Sequence, residues 1–489
     1  MDESNNKTIN QQKMKAKIIV WLSVCFLQGI SPLQAQSGSS RISLQQCLDI
    51  ALANNIPVKQ SELQEQNAKM NLTQSKMNRL PNIAASLNYG INNGRSIDPY
   101  TNSYINQQLN SSNSSLTASI PVFKGMQTQN SIQQASYNYQ AAKMDLQQEK
   151  DNLTLNVILA FLQLMNDEDV LVLAKAQKDV TAKQVERLEQ LNKEGAIAPA
   201  TLYDMKGQFA SDQVSVMNAE RAVEMSKLAL AQFMNVPYDK NMQSDREGLS
   251  LDLKRYEATT DNIYNTALQK LAFVKAADLR SKAAGKAIRV AAADLYPTLS
   301  LFGQLGTNYS SAARTSIATG TTDVVTSDYV VVNGTNSPVI SKQTNFNSQK
   351  IGFFSQYNNN LGTFVGVNLQ IPIFSSFQVR TRVRQARLEE KRTGYVAENT
   401  RIQLRQAIEQ AYLNMNTAWN RYEVITGQVA AFEESFRAAD IRFGLGAINS
   451  VEYLIVKNNL DRARTNLVVA RYEYLLRTRV LDFYQGILK

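Results

Sequence analysis

The chain is 489 residues long, 44% of its residues are hydrophobic, and its formal net charge is +10. It contains no histidine, which excludes triads with a histidine base and histidine-ligated zinc sites. It also lacks a phosphate-binding glycine loop and a Cys-x-x-Cys pair. Basic and acidic residues alternate without a basic block rich in aromatics, which argues against nucleic-acid binding. We therefore expect no enzyme activity, no cofactor and no metal site.

The N-terminus has the pattern of an export signal. Three lysines precede the apolar run Ile18–Ile30, and small residues around Ala35 follow it. The run is too short to span a bilayer comfortably. This pattern predicts a signal peptide over residues 1–36. No later apolar run reaches about 18 residues, so no transmembrane helix is predicted.

The chain has two cysteines. Cys25 lies in a segment that weakly resembles a lipoprotein acylation box, but the bulky Val24 stands where a small residue is expected, which disfavours acylation. After removal of the signal, Cys47 has no partner for an internal disulfide. We expect it to be a small apolar core residue of the first helix.

The sequence repeats itself. Ile371–Phe374 lies 251 residues after the similar Ile120–Phe123, and the same offset relates Gly446–Ile448 to Gly195–Ile197. Upstream the offset is 216 residues, as between Pro81 and Pro297. The second copy therefore holds an insertion, which falls in the polar stretch Thr307–Asn360 and is expected to be a surface loop. We predict a first repeat over residues 37–235, a linker over 236–257 and a second repeat over 258–489.

Each copy has the same order of elements: a helix, a strand, a polar loop, a strand, a very long helix, a glycine-containing turn and a last helix. The predicted helices are Ser43–Arg79, Gln127–Lys193, Ala200–Met234, Asp261–Leu295, Gln378–Phe443 and Ser450–Gln485. In the last helix, apolar residues from Val451 and Ile455 to Tyr474 are spaced to share one face. The acidic run Asp167-Glu168-Asp169 lies within a long helix, where neighbours point about 100° apart, so we expect a solvated surface.

The predicted strands alternate apolar and polar residues. Ile83, Leu87 and Ile91 share one face, and each strand has about nine to eleven residues, the length of a tilted membrane strand. Aromatic residues near the strand ends, such as Phe123 and Phe374, are typical of outer-membrane barrels, although strands of a soluble sandwich are an alternative. Four strands cannot close a pore, and open edges are forbidden in hydrocarbon. Three chains would supply twelve strands, so membrane insertion predicts oligomers.

The doubled order of elements, the Ile-Pro-Val/Ile-Phe strand ends and the turn motifs Glu194–Pro199 and Arg442–Ile448 are similar to one known family. The chain resembles the TolC-like outer-membrane efflux proteins over nearly its whole mature length. The resemblance implies an α+β membrane protein: a homotrimer whose 12-stranded β-barrel is continuous with a long periplasmic α-helical coiled-coil barrel. Most of its mass would lie in the periplasm. It implies a passive exit duct of a tripartite efflux or type I secretion system, which docks on a periplasmic adaptor and, through it, on an inner-membrane pump.

The resemblance also implies roles for particular residues. The two turns would form periplasmic tips that contact the adaptor, with a glycine that makes each turn and an exposed Ala-Ile pair after it that supplies apolar contact: Gly195, Ala196, Ile197, Gly446, Ala447 and Ile448. Glu452 matches an acidic ring at the tunnel entrance, with an ordinary solvated carboxylate as the alternative, while Ile455 stands where better-known members carry a second acidic residue.

Three further residues belong to the same predicted gate. Phe443 and Arg442 precede the second turn and could lock a closed state, although Arg442 could also serve simply as a cation at a helix end. Asp204 begins the other inner helix and is the third candidate. The polar loops Asn92–Ser115 and Thr307–Asn360 would face the cell exterior.

Two other classes of protein are compatible with parts of this pattern. A periplasmic adaptor or scaffold also contains a long helical hairpin, but adaptors usually carry one hairpin inside β-domains. This chain has two in tandem and no separate β-rich domain. An exported enzyme with a helical body would have to work without histidine.

Overall fold

The computed structural model describes residues 41–98, 102–246 and 253–487. The predicted signal peptide, with Cys25, lies outside these residues. The chain divides into two compact units. The first contains Val157–Leu253, Gly427–Tyr472 and the residues up to Ala53; the second contains Asn54–Asn156, Lys254–Thr426 and the residues from Glu473 onward. Each unit therefore contains segments of both sequence repeats, and the predicted repeat boundaries do not coincide with the units.

In the described residues, the α-helices are α1 (Leu44–Asn54), α2 (Ile56–Met77), α3 (Gln127–Lys193), α4 (Pro199–Met234), α5 (Thr260–Lys270), α6 (Ala272–Ala292), α7 (Phe353–Asn359), α8 (Gln378–Gly444) and α9 (Ser450–Gln485). The strands are β1 (Arg41–Ile42), β2 (Asn82–Asn92), β3 (Arg95–Ile97), β4 (Tyr104–Asn106), β5 (Leu109–Lys124), β6 (Gln243–Ser244), β7 (Thr298–Ser310), β8 (Arg314–Val332), β9 (Thr335–Lys350) and β10 (Gly362–Gln370).

The long helices follow the sequence repeat. Helices α3 and α8 each have 67 residues, and α4 and α9 each have 36. Helices α8 and α9 begin 251 residues after their counterparts α3 and α4. The predicted ranges Gln127–Lys193 and Ser450–Gln485 are confirmed. Helix α8 ends one residue later than predicted and α4 begins one residue earlier.

The first helix of each copy is broken, so the predictions of continuous helices over Ser43–Arg79 and Asp261–Leu295 were wrong. Asn55 adopts extended backbone angles and caps α2, since its side chain accepts a hydrogen bond from the Val58 amide at 3.1 Å. Pro57, in the first turn of α2, has no backbone N–H, so it cannot donate the hydrogen bond that would continue a helix from α1. Leu271 is the counterpart of Asn55 at the 216-residue offset, and it separates α5 from α6 in the same extended conformation.

Cys47 is fully buried on α1, as expected for a small core residue. Burial raises the pKa of its thiol to about 12.

Four strands of the second unit form one antiparallel sheet in the order β10-β7-β5-β2. The register aligns apolar side chains on one face, as in the row Ile120, Leu301 and Val367. The opposite face is mostly polar, and there the Ser86 and Ser115 hydroxyls hydrogen-bond at 2.8 Å. The predicted alternation is confirmed, and it produces a sheet with one apolar and one polar face.

The insertion in the second copy is not the surface loop that its polar composition predicted. Most of it forms a long antiparallel hairpin, β8–β9, whose strands pair from Arg314 with Lys350 to Val332 with Thr335. Helix α7 follows the hairpin. Threonine and valine are frequent in β8, and both favour extended backbone, so β-propensity prevailed over polarity here. The loop predicted over Asn92–Ser115 likewise contains the small β3–β4 hairpin and the start of β5.

One buried side chain fastens the base of this hairpin to the sheet. Gln356 on α7 accepts a hydrogen bond from the Ser310 amide at 2.9 Å and donates to the Ser310 carbonyl at 3.0 Å and the Ile351 carbonyl at 2.8 Å. The Tyr357 hydroxyl bonds Ser112 and Ser114 of β5 at 2.7 and 2.8 Å. The insertion is thus fixed where it leaves the sheet.

Candidate functional site

Two turns join the long helices to the helices that follow them, and both have the same backbone geometry. Gly195 and Gly446 have φ angles of +71° and +72°, the left-handed conformation that ends many helices. The Ala196 amide donates to the Leu191 carbonyl at 2.8 Å, and the Ala447 amide donates to the Arg442 carbonyl at 2.8 Å. These bonds define Schellman motifs, so the predicted role of both glycines in ending a helix is confirmed.

An apolar cluster packs beneath the turns, within the first unit. Its buried members are Leu188, Leu202, Met205, Ala439, Ile448 and Tyr453. The prediction that Ile448 is exposed at the tip was wrong, because this side chain belongs to the cluster, and Ile197 is half-buried against it. Ala196 and Ala447 are exposed as predicted. The most exposed large apolar side chain of the turns is Leu445, at 80%, which sequence reasoning missed.

The second turn brings Arg442 and Glu452 together. Asn449 caps α9 by accepting a hydrogen bond from the Glu452 amide at 2.8 Å. The cap places the Glu452 carboxylate 3.3 Å from the Arg442 guanidinium, and both side chains are about half exposed. Glu452 is therefore a solvated carboxylate with a cationic neighbour.

Phe443 and Asp204 make separate contacts at the same end of the first unit. Phe443 stacks on Tyr453 with ring centroids 4.4 Å apart and planes at 18°. Asp204, on α4, accepts a hydrogen bond from the Ser450 hydroxyl of α9 at 2.7 Å. Arg187 on α3 donates to the Gly444 carbonyl at 3.1 Å, so side chains from the first copy bind the second turn directly.

Ile455 lies outside the apolar core of the first unit. Its side chain is 57% exposed, as is that of Val451. The predicted apolar face of α9 is therefore correct for Tyr474, which is buried, but wrong at the start of the helix. There the buried face is the one that carries Tyr453, and Val451 and Ile455 form an uncovered apolar strip beside Glu452.

A buried polar network lies further along α9, and no sequence argument identified it. Lys457 is 2% exposed, and its ammonium lies 3.2 Å from Asp212 and 2.6 Å from Asp461. The side chain of Gln208 donates to Asp212 at 2.7 Å. Burial raises the pKa of Asp461, while Lys457 opposes that rise. The available sequence signal was the Lys457–Asp461 spacing of one helical turn, which is equally common on solvated faces.

The acidic run within α3 is not the solvated surface that was expected. Asp169 accepts hydrogen bonds from Arg246 at 2.5 Å and from the Tyr472 hydroxyl at 2.7 Å. Glu168 accepts from the Ser244 amide at 3.2 Å, next to the short pairing of β6 with β1. Asp167 accepts from the Ser226 hydroxyl. Glu168 also lies 3.3 Å from Arg246, so Glu168 and Asp169 share this guanidinium while Asp167 has a separate partner.

Comparison with known proteins places the chain in a family. The profile of the outer membrane efflux protein family matches residues 47–236 and 263–486, one segment in each repeat. Outer membrane protein TolC of Vibrio cholerae is 24% identical over 350 residues, which cover 69% of this chain and 68% of that protein. TolC of Escherichia coli is 22% identical over 462 residues, which cover 92% and 83%.

The CmeC outer membrane channel of Campylobacter jejuni has a similar fold. Its crystal structure matches with a TM-score of 0.72 at 16% identity, over 91% of this chain and 85% of that one. None of the described helices combines the length and the apolar character needed to cross a membrane.

The chain belongs to the outer membrane efflux protein family. It is an exit duct of the outer membrane that serves efflux, with a large periplasmic portion. The adaptor or scaffold alternative is not favoured, because the family profile covers both repeats. At the level of the family, its relatives are channels and not enzymes.

Proposed function

We propose that three copies of this chain form the duct, that their twelve sheet strands close one barrel in the outer membrane, and that the two turns of each copy contact a periplasmic adaptor coupled to an inner-membrane pump. Substrates pass through passively, toward the exterior. The four-stranded sheet carries this proposal.

The faces of the sheet suit the wall of a membrane β-barrel, but its two edge strands need further partners. Its apolar side chains lie on one face and its polar side chains on the other, as expected where one face meets lipid and the other meets water. Within the described chain, the edge strands β2 and β10 each pair with a single neighbour. Unpaired edges are not tolerated in hydrocarbon, so the edge strands need partners from other copies. Three copies bring the strand number to twelve, within the range of known barrels.

The turns suit the adaptor contact because they present small and apolar groups on a fixed backbone. Ala196 and Ala447 are exposed in equivalent Schellman turns, and Leu445 projects next to Gly446. Exposed apolar residues on a rigid turn lose little conformational entropy on binding. Ile197 and Ile448 support the turns from below instead of making the contact themselves.

The entrance of the duct is proposed to lie at the start of α9. In a trimer, Glu452 would occur three times around the axis, each time with Arg442 beside it. The nearby cation weakens the field of the carboxylate, so the ring would prefer cations less than three isolated carboxylates would. Ile455 and Val451 supply an apolar lining at the same level. Phe443 and Asp204 are proposed to hold the helices of the entrance in register.

Single-channel conductance in planar bilayers tests this proposal. We expect stable conductance with a cation preference that falls in Glu452→Gln and rises in Arg442→Gln, since the second change frees the carboxylate. Glu434→Gln is the matched control: Glu434 also pairs with an arginine, Arg437, at 2.9 Å on an exposed face. Equal selectivity in all four proteins would remove Glu452 from the entrance. A protein that stays monomeric in detergent and never inserts would refute the barrel.

A further inference from the structure

A stripe of cations lies on the first turns of α8. Arg380, Arg384, Arg387 and Lys391 are exposed and spaced by three or four residues, which places them along one side of the helix. On another side, Val379 and Val383 are buried in the second unit. Among the described contacts, Arg384, Arg387 and Lys391 have no hydrogen bond or ion pair, whereas their neighbour Arg382 binds Asp294 at 2.8 Å. The stripe is therefore free to bind an anion.

The stripe is not required by the fold, as the other copy of the repeat demonstrates. Helix α3 has the same length and the same place in its repeat. The residues that precede Arg380, Arg384 and Arg387 by 251 positions are Gln129, Gln133 and Ser136. An uncharged surface therefore serves this part of the helix equally well. The charge is an addition specific to the second copy.

The stripe begins where the apolar face of the sheet ends. Val367 and Leu369 lie on the apolar face of β10, and Ile373, three residues beyond the end of this strand, is 96% exposed. Ile373, Phe374, Leu295 and Arg380 line a small cleft of about 150 Å³. The Arg380 guanidinium also lies over the Phe377 ring, 5.5 Å from its centroid. Apolar side chains, then aromatic rings, then cations follow one another along the chain, the order found at a bilayer surface.

We propose that Arg380, Arg384 and Arg387 bind the phosphate groups of anionic phospholipids in the periplasmic leaflet of the outer membrane. The three residues span about 10 Å along the helix axis. This length, together with their long side chains, lets the guanidinium groups lie within the headgroup layer. An arginine guanidinium can donate two parallel hydrogen bonds to the oxygens of one phosphate, and cations next to a membrane are attracted to anionic lipid. The inference relies on the proposed placement of the sheet in the membrane. It adds a specific lipid partner for the second copy.

Native mass spectrometry of the detergent-purified protein, titrated with phosphatidylglycerol, tests the proposal. The triple variant Arg380→Gln/Arg384→Gln/Arg387→Gln is expected to bind this lipid at least about tenfold more weakly than the wild type. The matched control replaces three exposed cations of the first unit by glutamine, namely Lys183, Arg221 and Arg462, and should bind as the wild type does. For the wild type, the affinity should fall with added salt and exceed that for zwitterionic phosphatidylcholine.

Other outcomes identify other occupants. Equal lipid affinity in the triple variant and the wild type overturns the proposal. So does competition by millimolar inorganic phosphate combined with altered anion conductance, which would place the stripe in the aqueous duct. If the triple variant is misfolded by circular dichroism, Arg384→Gln alone and the salt dependence of the wild type decide. A wild-type protein that fails to conduct in bilayers refutes the proposed function, whatever the lipid result.

Discussion

Lys457 on α9 and Asp212 on α4 form an ion pair that is almost fully buried, with the ammonium 3.2 Å from the carboxylate. Because Asp461 binds the same ammonium, Lys457→Met leaves the buried Asp212 and the half-buried Asp461 without this cation. We expect the free energy of unfolding, measured by urea denaturation, to fall by about 3–5 kcal/mol. The double variant Asp212→Asn/Lys457→Met should regain much of this loss. Lys183→Met, at an exposed position, is the control and should change little.

The same network predicts a dependence on pH. Burial raises the pKa of Asp461 above its usual value, so the folded protein keeps this proton to higher pH than the unfolded chain does. The contribution of this group to stability therefore decreases as the pH rises from about 3.8 through the raised pKa. In Lys457→Met the opposing attraction is absent, and the decrease should extend to higher pH. Superimposable pH profiles of unfolding for the two proteins would contradict this.

The stack of Phe443 on Tyr453 is expected to stabilise the second turn. Phe443→Ala should lower the free energy of unfolding by about 2–3 kcal/mol, because a half-buried ring and its aromatic contact are lost. Tyr453→Phe keeps the stack and removes the hydroxyl, with its 3.3 Å hydrogen bond to Asp440 and its hydrogen bond with the Gln184 side chain, so it should cost about 1 kcal/mol. Tyr203→Ala, at an exposed tyrosine of α4, is the control. Equal losses from all three substitutions would argue against the stack.

Gly446 is needed for its backbone angle and not for space. A Cβ atom at this position would meet nothing within 4 Å, but φ is +72°. Gly446→Ala should therefore destabilise by about 1–2 kcal/mol, the cost of a left-handed non-glycine residue. Gly427→Ala is the matched control, because Gly427 lies inside α8 with equally open surroundings. There alanine should stabilise by about 0.5–1 kcal/mol, so urea midpoints should shift in opposite directions.

Gln356 is expected to stabilise the base of the β8–β9 hairpin against local opening. Gln356→Ala removes three hydrogen bonds, two of them buried, and leaves the Ser310 amide without a partner, whereas the Ser310 carbonyl keeps the Ala313 amide at 3.3 Å. The local cost should be about 1–3 kcal/mol for each buried group left unpaired, and the hairpin should open more often. Trypsin cleavage at Lys342 and Lys350 should then be faster than in the wild type. Gln349→Ala, at an exposed position of β9, should leave the cleavage rate unchanged.

Those parts of the fold that follow from local periodicity were predictable from the sequence. The bounds of Gln127–Lys193 and the alternation of the strands were predicted correctly, because the spacing of apolar residues distinguishes helical from extended segments. The break at Asn55 was also visible in principle, since Asn followed by Pro57 two residues later is a helix-start signal. Its counterpart at Leu271 carries no such signal. Only the repeat itself, applied at the 216-residue offset, would have found it.

The parts that depend on packing were not predictable. A lysine in a mixed-charge helix looks solvated, and only the approach of α4 to α9 decides that Lys457 is buried. The same limit explains Ile448, which was expected at the surface but is buried, and Val451, which was placed on the apolar face of α9 but is exposed. The pairing of Arg442 with Glu452 required the turn geometry as well as the two residues. The roles of these residues in gating and in adaptor contact stay predictions.

The two Schellman turns have a consequence for stoichiometry. In the proposed contact with the adaptor, each chain presents two similar turns, since Ala196-Ile197 and Ala447-Ile448 repeat on the same backbone. They differ at the residue before the glycine, which is Glu194 in one turn and Leu445 in the other. An adaptor that recognises only the shared features would bind twice per chain, which makes six sites in the proposed trimer. An adaptor that recognises the residue before the glycine would bind only one turn per chain, three in the proposed trimer. The number of bound adaptors therefore reveals which feature is recognised.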